Sequence, residues 1–394
     1  MKEIDFKWPQ GFTSDGLHIG LRKKKLDFGW LVSETPAACA GVYTTNQFCA
    51  APTALCKKIV SENHQLQALI VNSAIANSCT GQQGIDDAYA EQDMVAAKLG
   101  IRPNLVGVAS TGLIGAFLPM DKIAAGIDQL THTTSANICQ AILTTDTHPK
   151  TITLEFEIEG HTCLMTGFAK GSGMIHPKMA TMLGFVTTDV TIDGLDLQAL
   201  LNEEVNQTFN QITVDGDTST NDMVLVMANG HSQAPQILPA TPAYQSFKDA
   251  LHQVLTHLAQ EIARDGEGAT KLVEANVNGA QTARGAQQIA KEIVGSNLVK
   301  AAIFGQDANW GRIISTIGAS SVPINPQTVD ISLNGHPVVH HSLGLAFDEA
   351  ELKATLSADK ITIDVNLNNG SAQGQAWGCD LTYDYVQINA SYRS

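Results

Sequence analysis

Two hydrophobic periods alternate along this chain, and only a mixed α and β architecture satisfies both. Ile152, Leu154, Phe156 and Ile158 alternate with Thr and Glu, as in a strand with one buried face. Ile361, Ile363, Val365 and Leu367 repeat the pattern, and Cys379, Leu381, Tyr383 and Tyr385 predict a further strand of the same kind. Phe247, Leu251, Val254, Leu255, Leu258 and Ile262 instead recur at three-to-four spacing and define the apolar face of a long helix. Leu197, Leu200, Leu201 and Val205 predict a second helix, and a third is expected over about 85–99. Residues 230–242, polar with two internal prolines, read as a surface loop between a strand and the long helix. With 394 residues, 44% of them hydrophobic, the chain can bury more than one core, so two or three lobes are expected.

Charge and cysteine usage narrow the partners. Asp and Glu number 39 against 24 Lys and Arg, a formal net charge of -15. That balance disfavours phosphate backbones and anionic lipid heads, so neither nucleic acid nor a membrane surface is an expected partner. The seven cysteines are scattered, odd in number and without a C-x-x-C pair, which fits reduced thiols better than a disulfide framework or a zinc site. No apolar run approaches the roughly 20 residues of a membrane span, and a cytoplasmic protein is expected.

The stretch least like ordinary scaffold is 170–189, where Gly171, Ser172, Gly173, Met174 and Ile175 lead through Pro177 to Ala180, Thr181, Met182 and Leu183. An internal threonine needs a base to act as a nucleophile. Release of its own α-amine, with an ordinary pKa of about 8, would supply one. Cleavage before Thr181 requires its Oγ to attack the Ala180 carbonyl, shifting the chain from nitrogen to oxygen and leaving an ester that water hydrolyses. Taken alone, an Ala-Thr pair after a glycine-rich loop reads as a strand start. Thr111-Gly112 likewise reads as a turn, Lys170 as a solvated lysine and Glu267 as a turn residue. Asp215, Asp217 and Asp222 lack the ligand spacing of a calcium loop and read as turn and helix-capping residues near the site, so no metal is expected. His176 reads as structural, and residues 305–311 lack the spacing of a nucleotide-binding loop.

Together these stretches resemble one family. The run from Lys170 to Leu183, KGSGMIHPKMATML, is similar to the processing segment of the ornithine acetyltransferase family, also called glutamate N-acetyltransferase. In the same order as in that family stand AGVYTTN (40–46), VASTGLIG (108–115), TVDGDTSTND (213–222), DGEGATK (265–271), FGQDANWGRI (304–313) and YVQINASYRS (385–394). The likeness spans essentially the whole chain.

The resemblance implies a layered αββα self-processing fold, shared with a group of aminopeptidases. It implies cleavage between Ala180 and Thr181 into an α piece, 1–180, and a β piece, 181–394, two of each assembling together. Thr181 becomes the nucleophile, and Thr111 and Gly112 the oxyanion hole. Thr147, Lys170, Thr181, Glu267, Asn389 and Ser394 correspond to substrate-contacting positions: Lys170 suits a carboxylate, Glu267 an ammonium, Asn389 an amide partner. The implied reaction moves acetyl from N-acetylornithine to Thr181 and then to glutamate, in arginine biosynthesis, without a cofactor. The single-activity form is the expectation, with a bifunctional form that also uses acetyl-CoA as the alternative. Two rivals stay open: an N-terminal-nucleophile amidohydrolase or aminopeptidase, and a non-catalytic amino-acid binder. Departures from the family pattern stand at Ala74 and Ile75, where glycine and asparagine are usual, at Lys178 for asparagine, at Ala308 for proline and at the terminal Ser394 for threonine.

Overall fold

The structure, a computed structural model, describes residues 1–176 and 182–391. Ala180, Thr181 and Ser394, together with Lys178, lie outside the described residues. Nine strands form the larger sheet: β1 Lys2–Ile4, β2 Phe12–Leu17, β3 Phe28–Tyr43, β4 Gln65–Ile75, β5 Val106–Leu113, β6 Lys150–Ile158, β7 His161–Lys170, β8 Leu183–Thr188 and β9 Met223–Ala228. They run in the order β1-β6-β7-β8-β9-β3-β4-β5, with β2 paired to β3. Strands from both sides of position 181 therefore share one sheet. β8 pairs antiparallel to β7 and parallel to β9, and β9 pairs with β3.

Helices cover both faces of this sheet, because its central strands are apolar on both. On one side lie α1 Ala51–Asn63, α2 Gly81–Leu99, α3 Met120–Gln129 and α4 Asn137–Ala141, closing a core that includes Phe28, Trp30, Phe168 and Phe185. On the other lie α5 Gly194–Gln207 and α6 Pro242–Arg264. α6 starts where Thr241 caps its first turn by accepting from the Tyr244 N–H, with Pro242 in the position that needs no donor. Every residue of its expected face is buried, against strands β6 and β7. The α2 and α5 helices also stand where their periodicities place them, and residues 230–242 do connect β9 to α6.

A smaller sheet, in the order β13-β12-β11-β14-β10-β15, comprises β10 Leu272–Ala280, β11 Asp330–Leu333, β12 His336–His340, β13 Leu343–Gly344, β14 Lys360–Asn366 and β15 Ala372–Cys379. Its own core includes residues of α7 Ala283–Gly295, α8 Asn297–Phe304, α9 Trp310–Ala319 and α10 Glu349–Thr355. The mixed α/β class and the layered sheets are as expected.

The expected strand through Tyr383 and Tyr385 is a correction. β15 ends at Cys379, and Tyr383–Ser391 forms the helix α11, with Tyr383 fully outside the core. Asp380 turns the chain out of the sheet by accepting from the Thr270 and Lys271 N–H groups at 2.8 and 3.0 Å, and Thr382 Oγ1 donates to the Gly268 carbonyl at 2.7 Å. Four residues at spacing two cannot distinguish a strand from a strand end followed by a helix start.

Candidate active site

Loop 171–176 leaves the end of β7 and is held along most of its length by carboxylates. Asp146 Oδ1 accepts from the Gly171 N–H at 2.7 Å, and Asp215 accepts from the N–H groups of Met174 at 2.7 Å and Ile175 at 2.9 Å. Asp215 is also hydrogen-bonded to Tyr385 of α11. Ser172 donates to the Asp265 carbonyl at 2.6 Å and accepts, through its own carbonyl, from the Glu267 N–H at 3.0 Å. His176 Nδ1 lies 2.9 Å from Thr213 Oγ1, the structural engagement expected of it. Of the acidic run, Asp215 supports the loop as an N–H acceptor ahead of strand β9, and none of Asp215, Asp217 and Asp222 caps a described helix.

Behind the loop lies a buried ionic chain. Lys150 Nζ contacts Asp146 Oδ1 at 2.7 Å and Asp265 Oδ2 at 2.6 Å, and both carboxylates are nearly inaccessible. Asp265 accepts in turn from Thr147, through N–H at 3.0 Å and Oγ1 at 2.5 Å. Burial opposes ionisation of Asp146, but the Lys150 and Lys170 charges and the hydrogen bonds from Lys150 and Gly171 hold its carboxyl well below the ordinary range.

Lys170, at the end of β7, is buried and has no carboxylate within ion-pair distance among the described residues; its Nζ approaches Thr111 Oγ1 at 3.4 Å. Burial, with the nearby Lys150 charge, lowers its pKa, while Asp146, Asp222 and Glu267 raise it. Thr111 and Gly112 sit at the end of β5, opposite Ser73 and Ala74 of β4, where the ladder register slips. Asn221 fixes that junction: its Nδ2 donates to the Ala76 carbonyl at 2.6 Å and the Ser110 carbonyl at 2.8 Å. The departure at Ala74 falls where the backbone has φ of 101°, a conformation natural to glycine.

Thr111, Lys170, Met182, Asn221 and Asp222 line one small cavity of about 20 Å³. Glu267 closes over Gly173, where a Cβ would stand 2.4 Å from the Glu267 carboxyl carbon, and accepts from Asn389 Nδ2 at 2.7 Å. Thr147 opens instead into a neighbouring cavity of about 550 Å³, between the Asp265–Thr270 turn and α11. A larger groove, about 1340 Å³, runs beside α7 and α9; it holds His176 but none of the positions that the family resemblance singles out.

Thr111, Gly112, Thr147, Lys170, Glu267 and Asn389, spread over 279 positions of sequence, are thereby connected around loop 171–176 and Met182, the two ends that flank Thr181. Asp146, Lys150, Asn221 and Asp265 join this network without having been singled out by sequence reasoning, whereas Asp222 is read there only as a turn or helix-capping residue near the site. Asn221 and Asp265 stand inside motifs that drew notice for other residues, and the Asp146–Lys150 pair at i,i+4 was the one signal for the rest. Among the described residues the one three-residue group with metal-ligand chemistry is Asp330 with His340 and His341, at β11 and β12 of the smaller sheet. All seven cysteines are free, and no described helix is long and apolar enough to cross a membrane.

A two-layered α/β frame whose strand ends gather hydrogen-bond donors and a buried ammonium around one chain segment is the arrangement of an acyl-transfer enzyme. Residues 13–394 match the ArgJ family. An arginine biosynthesis bifunctional protein ArgJ of Lactiplantibacillus plantarum is 62% identical over 391 residues, covering 99% of this chain and 97% of the relative. One of Streptococcus thermophilus is 52% identical over 397 residues, covering 100% of both. Among solved structures, the arginine biosynthesis bifunctional protein of Bacillus halodurans is 53% identical with a TM-score of 0.53; the match spans 54% of this chain and 100% of that one. The chain belongs to the ArgJ family.

Proposed function

We propose that this chain carries an acetyl group from N-acetylornithine to glutamate on Thr181, after cleavage between Ala180 and Thr181. As an ArgJ protein it is an acetyltransferase of arginine biosynthesis; the residues and steps are our reading. The observation that carries it is the connection of Thr111, Lys170, Glu267 and Asn389 around the two described ends that flank Thr181. In this reading the Thr111 side chain and the Gly112 N–H meet the oxyanion, worth about 10²- to 10³-fold in rate per donor. Lys170 holds the substrate carboxylate and Glu267 its ammonium; Thr147, Asn389 and Ser394 complete the contacts. The freed α-amine of Thr181 takes the hydroxyl proton on attack and gives it to the leaving ornithine amine, and glutamate reverses the sequence.

Cleavage would give pieces 1–180 and 181–394. The Bacillus halodurans chain supports that boundary, since its whole length matches the share of this chain that residues 181–394 make up. The two pieces would stay joined by the β7-β8 and β3-β9 pairings. Two of each piece, a cytoplasmic location and operation without a cofactor or metal complete the proposal. A second reading has specific support: the relatives named above are called bifunctional, which favours acetyl-CoA as an additional donor over the single-activity form.

Purified protein given glutamate with either N-acetylornithine or acetyl-CoA tests both readings. Acetylglutamate from the first donor alone is the single-activity result, and from either donor the bifunctional one. Acetate release without transfer would mean a hydrolase, and an intact chain near 42 kDa on a denaturing gel would remove the Thr181 mechanism.

A further inference from the structure

The α-amine of Thr181 can act as a base only once it is free, so it cannot assist in its own release. Cleavage needs another group to move a proton from the threonine hydroxyl to the leaving nitrogen, and this inference rests on the cleavage reading above. Among the described residues lining the small cavity beside Met182, the titratable side chains are Lys170 and Asp222. Asp222 ends the loop before β9, where the Met223 N–H donates to the Met182 carbonyl at 2.8 Å and Leu183 pairs with Met223. It is thereby placed beside the first described residue after Thr181. The residue is 2% exposed. One of its carboxylate oxygens, Oδ2, is buried without a hydrogen-bond partner among the described residues, although Ser219 and Thr44 both bond the side chain. A buried carboxylate oxygen without a donor is costly and seldom kept without a use.

We propose that Asp222 is the proton carrier of self-cleavage. Oδ2 takes the proton of Thr181 Oγ as Oγ bonds to the Ala180 carbonyl carbon. The same oxygen then returns that proton to the Thr181 nitrogen as the carbon–nitrogen bond breaks, leaving an ester and a free amine. Water then cleaves the ester, releasing the Ala180 carboxylate and the Thr181 hydroxyl. One free oxygen and one proton suffice, and no charge is left over. Burial suits Asp222 to the task by pushing its carboxyl well above the usual range, against the Ser219 and Thr44 hydrogen bonds and the Lys170 charge. That makes its ionised form a stronger base than an ordinary carboxylate. The titratable groups facing it are Lys170 of β7 and the Cys49 thiol ahead of α1.

The test follows full-length precursor made by cell-free synthesis, with cleavage read over time on denaturing gels and the new N-terminus sequenced. Wild type that never cleaves before Thr181 refutes the proposed function itself, separately from Asp222. Where wild type cleaves, Asp222→Asn, nearly identical in shape, is expected to slow cleavage at least about 100-fold; cleavage of the folded variant at the wild-type rate overturns the proposal. Should that variant not fold, the wild-type rate between pH 5 and 9 decides. It is expected to rise with pH as Asp222 ionises, and a flat profile overturns the carrier role.

Discussion

Gly112 faces Ala74 so closely that a Cβ on Gly112 would stand 2.2 Å from the Ala74 carbonyl carbon. Gly112 has φ of 128° and Ala74 φ of 101°, so two adjoining strands leave the regular sheet at one point, which also carries Thr111, with Gly112 the proposed oxyanion pair. Glycine is free to adopt such angles and alanine is not. Replacing Ala74 by Gly, the usual residue of the resembled family, should relieve strain and raise stability by about 1 kcal/mol despite the added unfolded-state entropy. Gly112→Ala should lower stability by more than about 2 kcal/mol and depress acetyl transfer. Urea unfolding of the three proteins checks the opposite signs, and equal signs would contradict the strained junction.

Lys150 is the cation between two carboxylates that reach different parts of the site, Asp146 to Gly171 and Asp265 to Thr147. Lys150→Met would leave both carboxylates buried without it, a loss of about 3–5 kcal/mol. Asp146 sets the pH sign. Its folded pKa lies below its unfolded value, so its contribution is present above the ordinary carboxylate pKa and disappears as pH falls through the folded one. Acid unfolding of Lys150→Met should therefore begin at higher pH than that of wild type. Coincident acid midpoints would show that Lys150 does not hold Asp146 ionised.

Glu91 of α2 behaves in the opposite direction. Both its carboxylate oxygens are buried without a partner among the described residues, and burial, helped by Asp87, pushes its pKa up to about 8. A carboxyl whose folded pKa is raised favours the folded state least when ionised. Its penalty is absent below the unfolded value near 4.5 and grows as pH rises toward 8, by about 1.4 kcal/mol per unit. Glu91→Gln should flatten the stability profile over that window, and an unchanged slope in denaturant titrations at pH 5, 6, 7 and 8 would exclude the assignment.

These buried charges also mark the limit of what the sequence discloses. The α6 face was legible because burial of Phe247 through Ile262 imposes a helical period on the residue types themselves. The turn at Asp380 was not, since one side chain capturing two N–H groups 110 positions away leaves no periodic trace. Thr111, Lys170, Glu267 and Asn389 could be named through resemblance. Their joining through Asp146, Lys150 and Asp265 depends on loops folding back over β6 and β7, and Lys150 reads as any lysine until it is seen without solvent.

Asn221 shows how a residue outside the reaction can govern it. Its amide spans the Ala76 and Ser110 carbonyls and so sets where Thr111, the next residue, points. In the proposed mechanism Thr111→Ala should reduce acetyl transfer about 10²- to 10³-fold. Asn221→Ala should lower kcat by a similar order with little change in KM, because the groups proposed to bind the substrate ends, Lys170 and Glu267, stand on other elements. If Asn221 works only by placing Thr111, the double variant should fall no further than the weaker single one, since partners in one network do not add. Losses that multiply in the double variant would mean that Asn221 contributes by a separate route.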